Sequence, residues 1–168
     1  VTVWLGVCAV WDIKTRKVPN VLSLSGLAYG LLVASMQENW PAAALAVVLV
    51  FLSDLPKPIA SFVSIIALGF AGAFTYLKLG LGMEAILAQC VLVVVWQMWL
   101  RGLTGGADAK ILMGLVLIYG SGIFLAATFA GGVMGLFALL RKQRMLPYVL
   151  PIAVGSAAFF VLKHAGWL

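Results

Sequence analysis

The chain has 168 residues, 64% of them hydrophobic and only 10% charged, with a net charge of +6. Soluble domains run about 45–50% apolar and about 25% charged, so this is no ordinary cytosolic domain, and disorder is excluded because disordered chains are polar and charged. As continuous helix the chain would measure about 250 Å, enough for roughly eight crossings of a 30 Å hydrocarbon core and leaving no length for a separate soluble domain.

In chain order, the first apolar run covers residues 1–11, about half a bilayer at helical rise. The chain begins at Val1 without methionine, which predicts residues upstream; no cleavable signal peptide is visible. A polar stretch, Asp12-Ile13-Lys14-Thr15-Arg16-Lys17, follows. Pro19 suits the first turn of a helix over about 18–36. After a loop at 37–40, Pro41 opens a run to about 53, and a polar turn containing Asp54 and Lys57 leads to a span over 59–77. The next span is 83–100. Beyond it lies Arg101-Gly102-Leu103-Thr104-Gly105-Gly106-Ala107-Asp108-Ala109-Lys110, then a short helix over about 109–118 and spans over 123–140 and 145–163. These segments predict an all-α, polytopic helical membrane protein with about eight transmembrane segments in a single domain.

Basic residues orient the spans, because cytoplasmic loops carry the excess of Lys and Arg. With the 12–17 loop placed inside and strict alternation after it, the inner side holds Lys14, Arg16, Lys17, Lys57, Arg101, Lys110, Arg141, Lys142 and Arg144, against Lys78 and Lys163 outside. The positive charge is thus read as a topology signal, with the lipid bilayer and not nucleic acid as partner. Trp11, Trp40, Trp99 and Trp167 fall near segment ends, as interfacial tryptophans do. Gly26/Gly30 and Gly131/Gly135 form G-x-x-x-G pairs that allow close helix contact. Cys8 and Cys90 lie isolated in apolar runs, outside any C-x-x-C pair; structural zinc is not implied, and free buried thiols are the plainer reading, a disulfide the other. No motif implies a cofactor.

Five carboxylates are present. Glu38 reads as a solvated loop residue, Glu84 as a helix-start acid matching the dipole, and Asp54 as a turn residue. Asp12 and Asp108 differ. Both fall at cytoplasmic ends of apolar segments, and each precedes a lysine by two residues, Lys14 and Lys110. An ionisable residue at a membrane is a functional candidate. Two carboxylates brought together share a proton, so that one acts as base while the other donates. Such a pair can activate water against an amide carbonyl without a metal. Helix caps and interfacial ion pairs are the competing explanation. Gly105-Gly106 allows a tight turn and close approach of another chain.

These motifs resemble those of the type IV prepilin peptidases and archaeal preflagellin peptidases, the GxGD membrane aspartyl proteases. Trp11-Asp12-Ile13-Lys14-Thr15-Arg16-Lys17-Val18-Pro19-Asn20 resembles the first aspartate motif, and Gly105-Gly106-Ala107-Asp108-Ala109-Lys110 the second. The stretch from Arg144 through Pro147-Tyr148 to Gly155 resembles the family's Pro-aromatic opening of the last helix. The resemblance implies a GxGD-protease-like bundle that cuts the short basic leader from prepilins, preflagellins or pseudopilins at the cytoplasmic face. Asp12 and Asp108 would be the catalytic pair. Lys14, Pro19, Asn20, Gly105, Gly106, Lys110 and Pro147 would bind substrate or support the pair.

The chain departs from the family pattern in three ways. Ala107 replaces the third residue of GxGD. The spacing of 96 positions from Asp12 to Asp108 leaves room for an additional pair of segments over 41–77. The cysteine tetrad of the bifunctional members' methyltransferase domain does not occur in this sequence, which predicts peptidase without methyltransferase activity unless a domain precedes Val1. The presenilin type of GxGD protease pairs its second motif with Tyr-Asp and Pro-Ala-Leu; here Trp11 precedes Asp12, and the Pro147 region lacks Pro-Ala-Leu. A proton-coupled transporter, or a structural membrane subunit using the same aspartates, is the alternative from another class.

Overall fold

A computed structural model describes residues 1–15, 17–79, 82–140 and 149–165. The expectations attached to Arg16, Arg141, Lys142, Arg144, Pro147 and Trp167 lie outside these residues. Among the described residues every regular element is an α-helix: α1 (Thr2–Thr15), α2 (Asn20–Met36), α3 (Trp40–Leu52), α4 (Lys57–Leu79), α5 (Met83–Leu100), α6 (Gly106–Tyr119), α7 (Gly122–Leu140) and α8 (Val149–His164). The chain divides into two compact units, Val1–Ser23 with Gly122–Leu168, and Leu24–Ser121.

In the first unit α8 packs on both α7 and α1. The α7–α8 contact is closest at Gly155, where an added Cβ would lie 2.6 Å from Ala126 O and 2.7 Å from Ala127 Cα. Only a residue without a side chain allows backbones so near. The Gly131/Gly135 pair does not make this contact: Gly131 faces Pro151 at ordinary distance and Gly135 meets nothing within 4 Å. The start of α2 is tied to α1 by the Trp4 indole, which donates to Leu22 O at 3.2 Å.

The second unit holds α3 to α6 and most of α2. The Gly26/Gly30 pair does mark a crossing here. A Cβ at Gly30 would lie 2.6 Å from Gly114 O, and one at Gly114 would lie 2.7 Å from Gly26 O. Three glycines on α2 and α6 thus bring two backbones into contact. α6 packs against α5 and α3, and Ile111, Met113, Leu115 and Val116 are buried. α3 and α4 pack on each other, with Trp40 edge-on to Phe74 at 5.0 Å between ring centroids.

α4 and α5 are joined by side-chain hydrogen bonds between otherwise apolar helices. Ser61 Oγ donates to Gln97 Oε1 at 3.1 Å and Gln97 Nε2 to Ser64 Oγ at 3.0 Å. At the other end of the pair, Gln89 Nε2 donates to Thr75 Oγ1 at 2.7 Å. Polar side chains on apolar helices need such partners, since lipid supplies none. The spans 57–77 and 83–100 are long and apolar enough to cross a membrane, and only 17% and 33% of them is buried. The core helix of a soluble domain would be mostly buried. Instead Phe62, Ile65 and Phe70 of α4 stand 66%, 63% and 76% exposed, a surface that water does not favour. Four other apolar helices are shorter.

Two helices overrun their expected ends. α1 continues through Asp12 and Lys14 to Thr15, where the sequence suggests a polar loop, and α6 begins at Gly106, before the expected start at 109. Both aspartates therefore sit on helical turns. α2 starts at Asn20, just after Pro19. Cys8 and Cys90 are free thiols.

Candidate active site

Asp12 lies in the last turn of α1. Trp11, Ile13, Lys14 and Thr15 around it are exposed, but Asp12 itself is 7% exposed. Its Oδ2 accepts a hydrogen bond at 3.0 Å from the backbone N–H of Val149, the first residue of α8. First-turn amides have no partner within their own helix, and the helix dipole favours an anion beside them. This bond links the first aspartate motif to the segment containing Pro147, 137 residues away. Lys14 is exposed; residues two apart on a helix point to different sides, so it belongs with the solvent-facing residues of α1.

The chain after Asp12 is organised by its own backbone. The Thr15 hydroxyl lies 2.9 Å from Trp11 O and 2.8 Å from Lys17 O, closing α1. Pro19 O accepts from Leu22 N–H at 3.0 Å and Ser23 N–H at 3.2 Å, opening α2. Pro19 thus supplies the first acceptor of α2 and not a residue inside it. Asn20 is exposed at the helix start.

Asp108 is set by the α5–α6 junction. α5 ends in a left-handed cap: Gly102 has φ +75°, its N–H donates to Trp99 O at 2.9 Å, and Leu103 N–H donates to Met98 O at 2.9 Å. That paired bonding is the Schellman arrangement, which favours glycine at the left-handed position. Gly105 then caps α6 with extended backbone, its carbonyl accepting from Ala109 N–H at 3.0 Å. Asp108 is the third residue of the helix, and its carboxylate folds back over Gly105: a Cβ there would lie 2.6 Å from Asp108 Oδ2. Gly106 lies against the Trp99 indole, a Cβ there falling 3.0 Å from Nε1. Among the described residues, the space beside the two glycines is filled by the chain's own carboxylate and indole. Asp108 and Lys110 are both half-buried.

The structure thus brings Asp12 to the α8 start in one unit, and Gly105, Gly106 and Asp108 together in the other. Pro147 lies outside the described residues. Val149 and Trp99 are the contacts that sequence reasoning missed. Val149 acts through its amide, which no residue type advertises, whereas Trp99 had a visible signal as a large aromatic just before a glycine-rich turn. The remaining carboxylates are engaged elsewhere or exposed. Glu84 Oε1 accepts from Ser121 N–H at 2.7 Å and Ser121 Oγ at 2.8 Å, while Glu38 and Asp54 are exposed turn residues. Among the described residues no three His, Cys, Asp or Glu side chains gather to ligate a metal ion.

No curated protein and no solved structure matches the chain. Residues 1–140 match the type IV leader peptidase family, a stretch that takes in both aspartate motifs and all of α1 to α7. A match over most of the chain shows kinship, and the family's activity is that of a peptidase. This protein belongs to the type IV leader peptidase family.

Proposed function

We propose that the protein is a membrane-embedded aspartyl endopeptidase, with Asp12 and Asp108 as its catalytic pair. Its substrates are prepilin-like precursors, whose short basic leader it removes at the cytoplasmic face of the cell membrane in pilus assembly or protein secretion. The observation that carries the reading is that each aspartate is held in place, Asp12 by a segment distant in sequence and Asp108 by its own glycine turn. Asp12 is buried on the α8 amide and Asp108 is folded over Gly105. Surface acids serving only solubility need neither arrangement.

The chemistry follows from two carboxyl groups sharing one proton. The ionised one takes a proton from water, whose oxygen attacks the scissile carbonyl carbon. The protonated one donates to the carbonyl oxygen. When the tetrahedral intermediate collapses, the C–N bond breaks, the proton taken from water passes to the leaving amine, and a hydroxyl of the intermediate returns its proton to the second carboxylate as the new carboxyl group forms. The leader lies extended near the Gly105-Gly106 turn, and Pro19 and Asn20 aim the end of α1. Lys14 and Lys110 supply positive charge on the inner side.

Multi-pass insertion is supported by the exposed apolar faces of α4 and α5 and by the one-sided distribution of Lys and Arg. A proton relay would place acids on broken helices near mid-membrane. Asp12 and Asp108 instead occupy the last turn of α1 and the first turn of α6. The test is incubation of membranes bearing the chain with precursors carrying a prepilin, preflagellin or pseudopilin leader, reading the new N-terminus by mass spectrometry. Loss of the leader at one defined bond is expected. Intact precursor in all three cases would overturn the proposal.

A further inference from the structure

We infer that Trp99 is a positioning residue for Asp108, acting through Gly106; this rests on the peptidase reading above. The indole lies across Gly106, with Nε1 3.0 Å and Cε2 3.5 Å from where a Cβ would stand. The C-terminal cap of α5 fixes the backbone of Trp99, because Trp99 O accepts the Gly102 N–H at 2.9 Å. The chain reverses at Gly102 and brings the first turn of α6 against the ring two residues before Asp108. The two glycines therefore have separate tasks. Gly105 leaves room for the Asp108 carboxylate, and Gly106 leaves room for the indole that braces the turn.

A tryptophan at a helix end also serves as an interfacial anchor. An anchor would be indifferent to what stands at residue 106, whereas a brace requires glycine there. Removing the ring leaves space over Gly106 into which the turn relaxes, carrying the carboxylate with it. Catalysis is sensitive to such movement, since misplacement by about 1 Å can cost about 100-fold. Leader binding along the rest of the substrate does not depend on the ring, so the loss falls on kcat and not on KM.

The experiment uses the full chain in membranes and a prepilin-type precursor, with Trp99→Ala, Trp99→Phe, Gly106→Ala and the double variant Trp99→Ala/Gly106→Ala. Trp99→Ala is expected to lower kcat about tenfold or more with KM held within about twofold, and Trp99→Phe to restore most of the loss. The double variant is expected to be no worse than the poorer single one, because removing the ring makes room for the methyl group. Multiplicative losses in the double variant, or a rise in KM with kcat unchanged, would overturn the inference.

A second readout does not need activity. Cysteine is placed at residue 108 (Asp108→Cys) with Cys8→Ala and Cys90→Ala, and its alkylation rate is measured with and without Trp99→Ala. Alkylation is expected to quicken severalfold when the ring is removed, while Leu103→Cys, an exposed control, is unaffected. Equal rates at residue 108 would count against the brace. A wild-type chain that cuts no leader would defeat the peptidase reading, leaving the alkylation comparison to decide whether Trp99 sets the turn.

Discussion

Gly105→Ala separates catalysis from folding more cleanly than loss of an aspartate does. An alanine Cβ at this position would lie 2.6 Å from Asp108 Oδ2, where ordinary contact begins at 3.4 Å. The carboxylate must therefore retreat by about 0.8 Å or rotate away. The backbone itself accepts alanine, since Gly105 has φ −68° and ψ 149°. The stability cost is that of a poorer helix cap, a few tenths to about 1 kcal/mol, partly offset by the reduced freedom of the unfolded chain. Displacement on the scale of 1 Å at a reacting group costs about 100-fold in rate. The expected outcome is a fall in kcat of about 10- to 100-fold with thermal stability in detergent nearly unchanged. Gly102→Ala is the control. Its φ of +75° strains alanine by about 1–2 kcal/mol, yet a Cβ there meets nothing within 4 Å, so stability falls without direct displacement of Asp108. The assay is initial-rate precursor cleavage, paired with a melting curve for each variant. Wild-type kcat in a normally folded Gly105→Ala enzyme would refute the claim that this glycine places the carboxylate.

Three further outcomes follow from the packing. Gly30→Ala drives a methyl group to 2.6 Å from Gly114 O, a backbone atom that cannot rotate away, and should cost about 1–3 kcal/mol in a thermal or denaturant melt. Glu84→Ala removes the acceptor for both Ser121 donors; a loss of about 1 kcal/mol is expected, with Glu84→Gln milder because its amide oxygen still accepts. Membranes carrying the chain should retain it in the pellet after alkaline carbonate extraction, since the apolar faces of α4 and α5 have no water-compatible surroundings. Its release into the supernatant would count against insertion.

Much of the helical framework is legible from apolar runs and their punctuation. α5 is bounded as expected at 83 and 100, because Gly82 and the Arg101-Gly102 pair interrupt an otherwise continuous apolar stretch. The ends of α1 and α6 are misjudged for a shared reason. Polar residues and paired glycines read as loop signals, but helical geometry continues wherever hydrogen bonding permits it. At Thr15 the hydroxyl reaches the Trp11 carbonyl, and at Gly105 the carbonyl already accepts from Ala109. Glycine spacing carries half the packing information. Gly26 and Gly30 mark a real crossing, but Gly114, their partner, belongs to no such pair. Gly131 and Gly135 have the spacing without the contact, which falls to Gly155 against α7. The aspartates stand out because acids are scarce in an apolar chain. Their surroundings do not, because Val149 contributes a backbone amide from 137 residues away, and separation along the chain conceals such meetings.

The proposed mechanism requires Asp12 and Asp108 to work as one unit on the scissile amide. It is tested most directly by cleavage rates for Asp12→Asn, Asp108→Asn, the double variant and Asp54→Asn, each at matched membrane level. Asparagine keeps an oxygen able to accept from Val149 N–H and preserves side-chain size, so the fold is retained while the acid–base pair is lost. Each single variant should lose essentially all cleavage, the double variant should be no worse than either because the two groups act together, and Asp54→Asn should cut as wild type does. Cleavage at the wild-type rate by Asp12→Asn or Asp108→Asn would contradict the paired-aspartate mechanism.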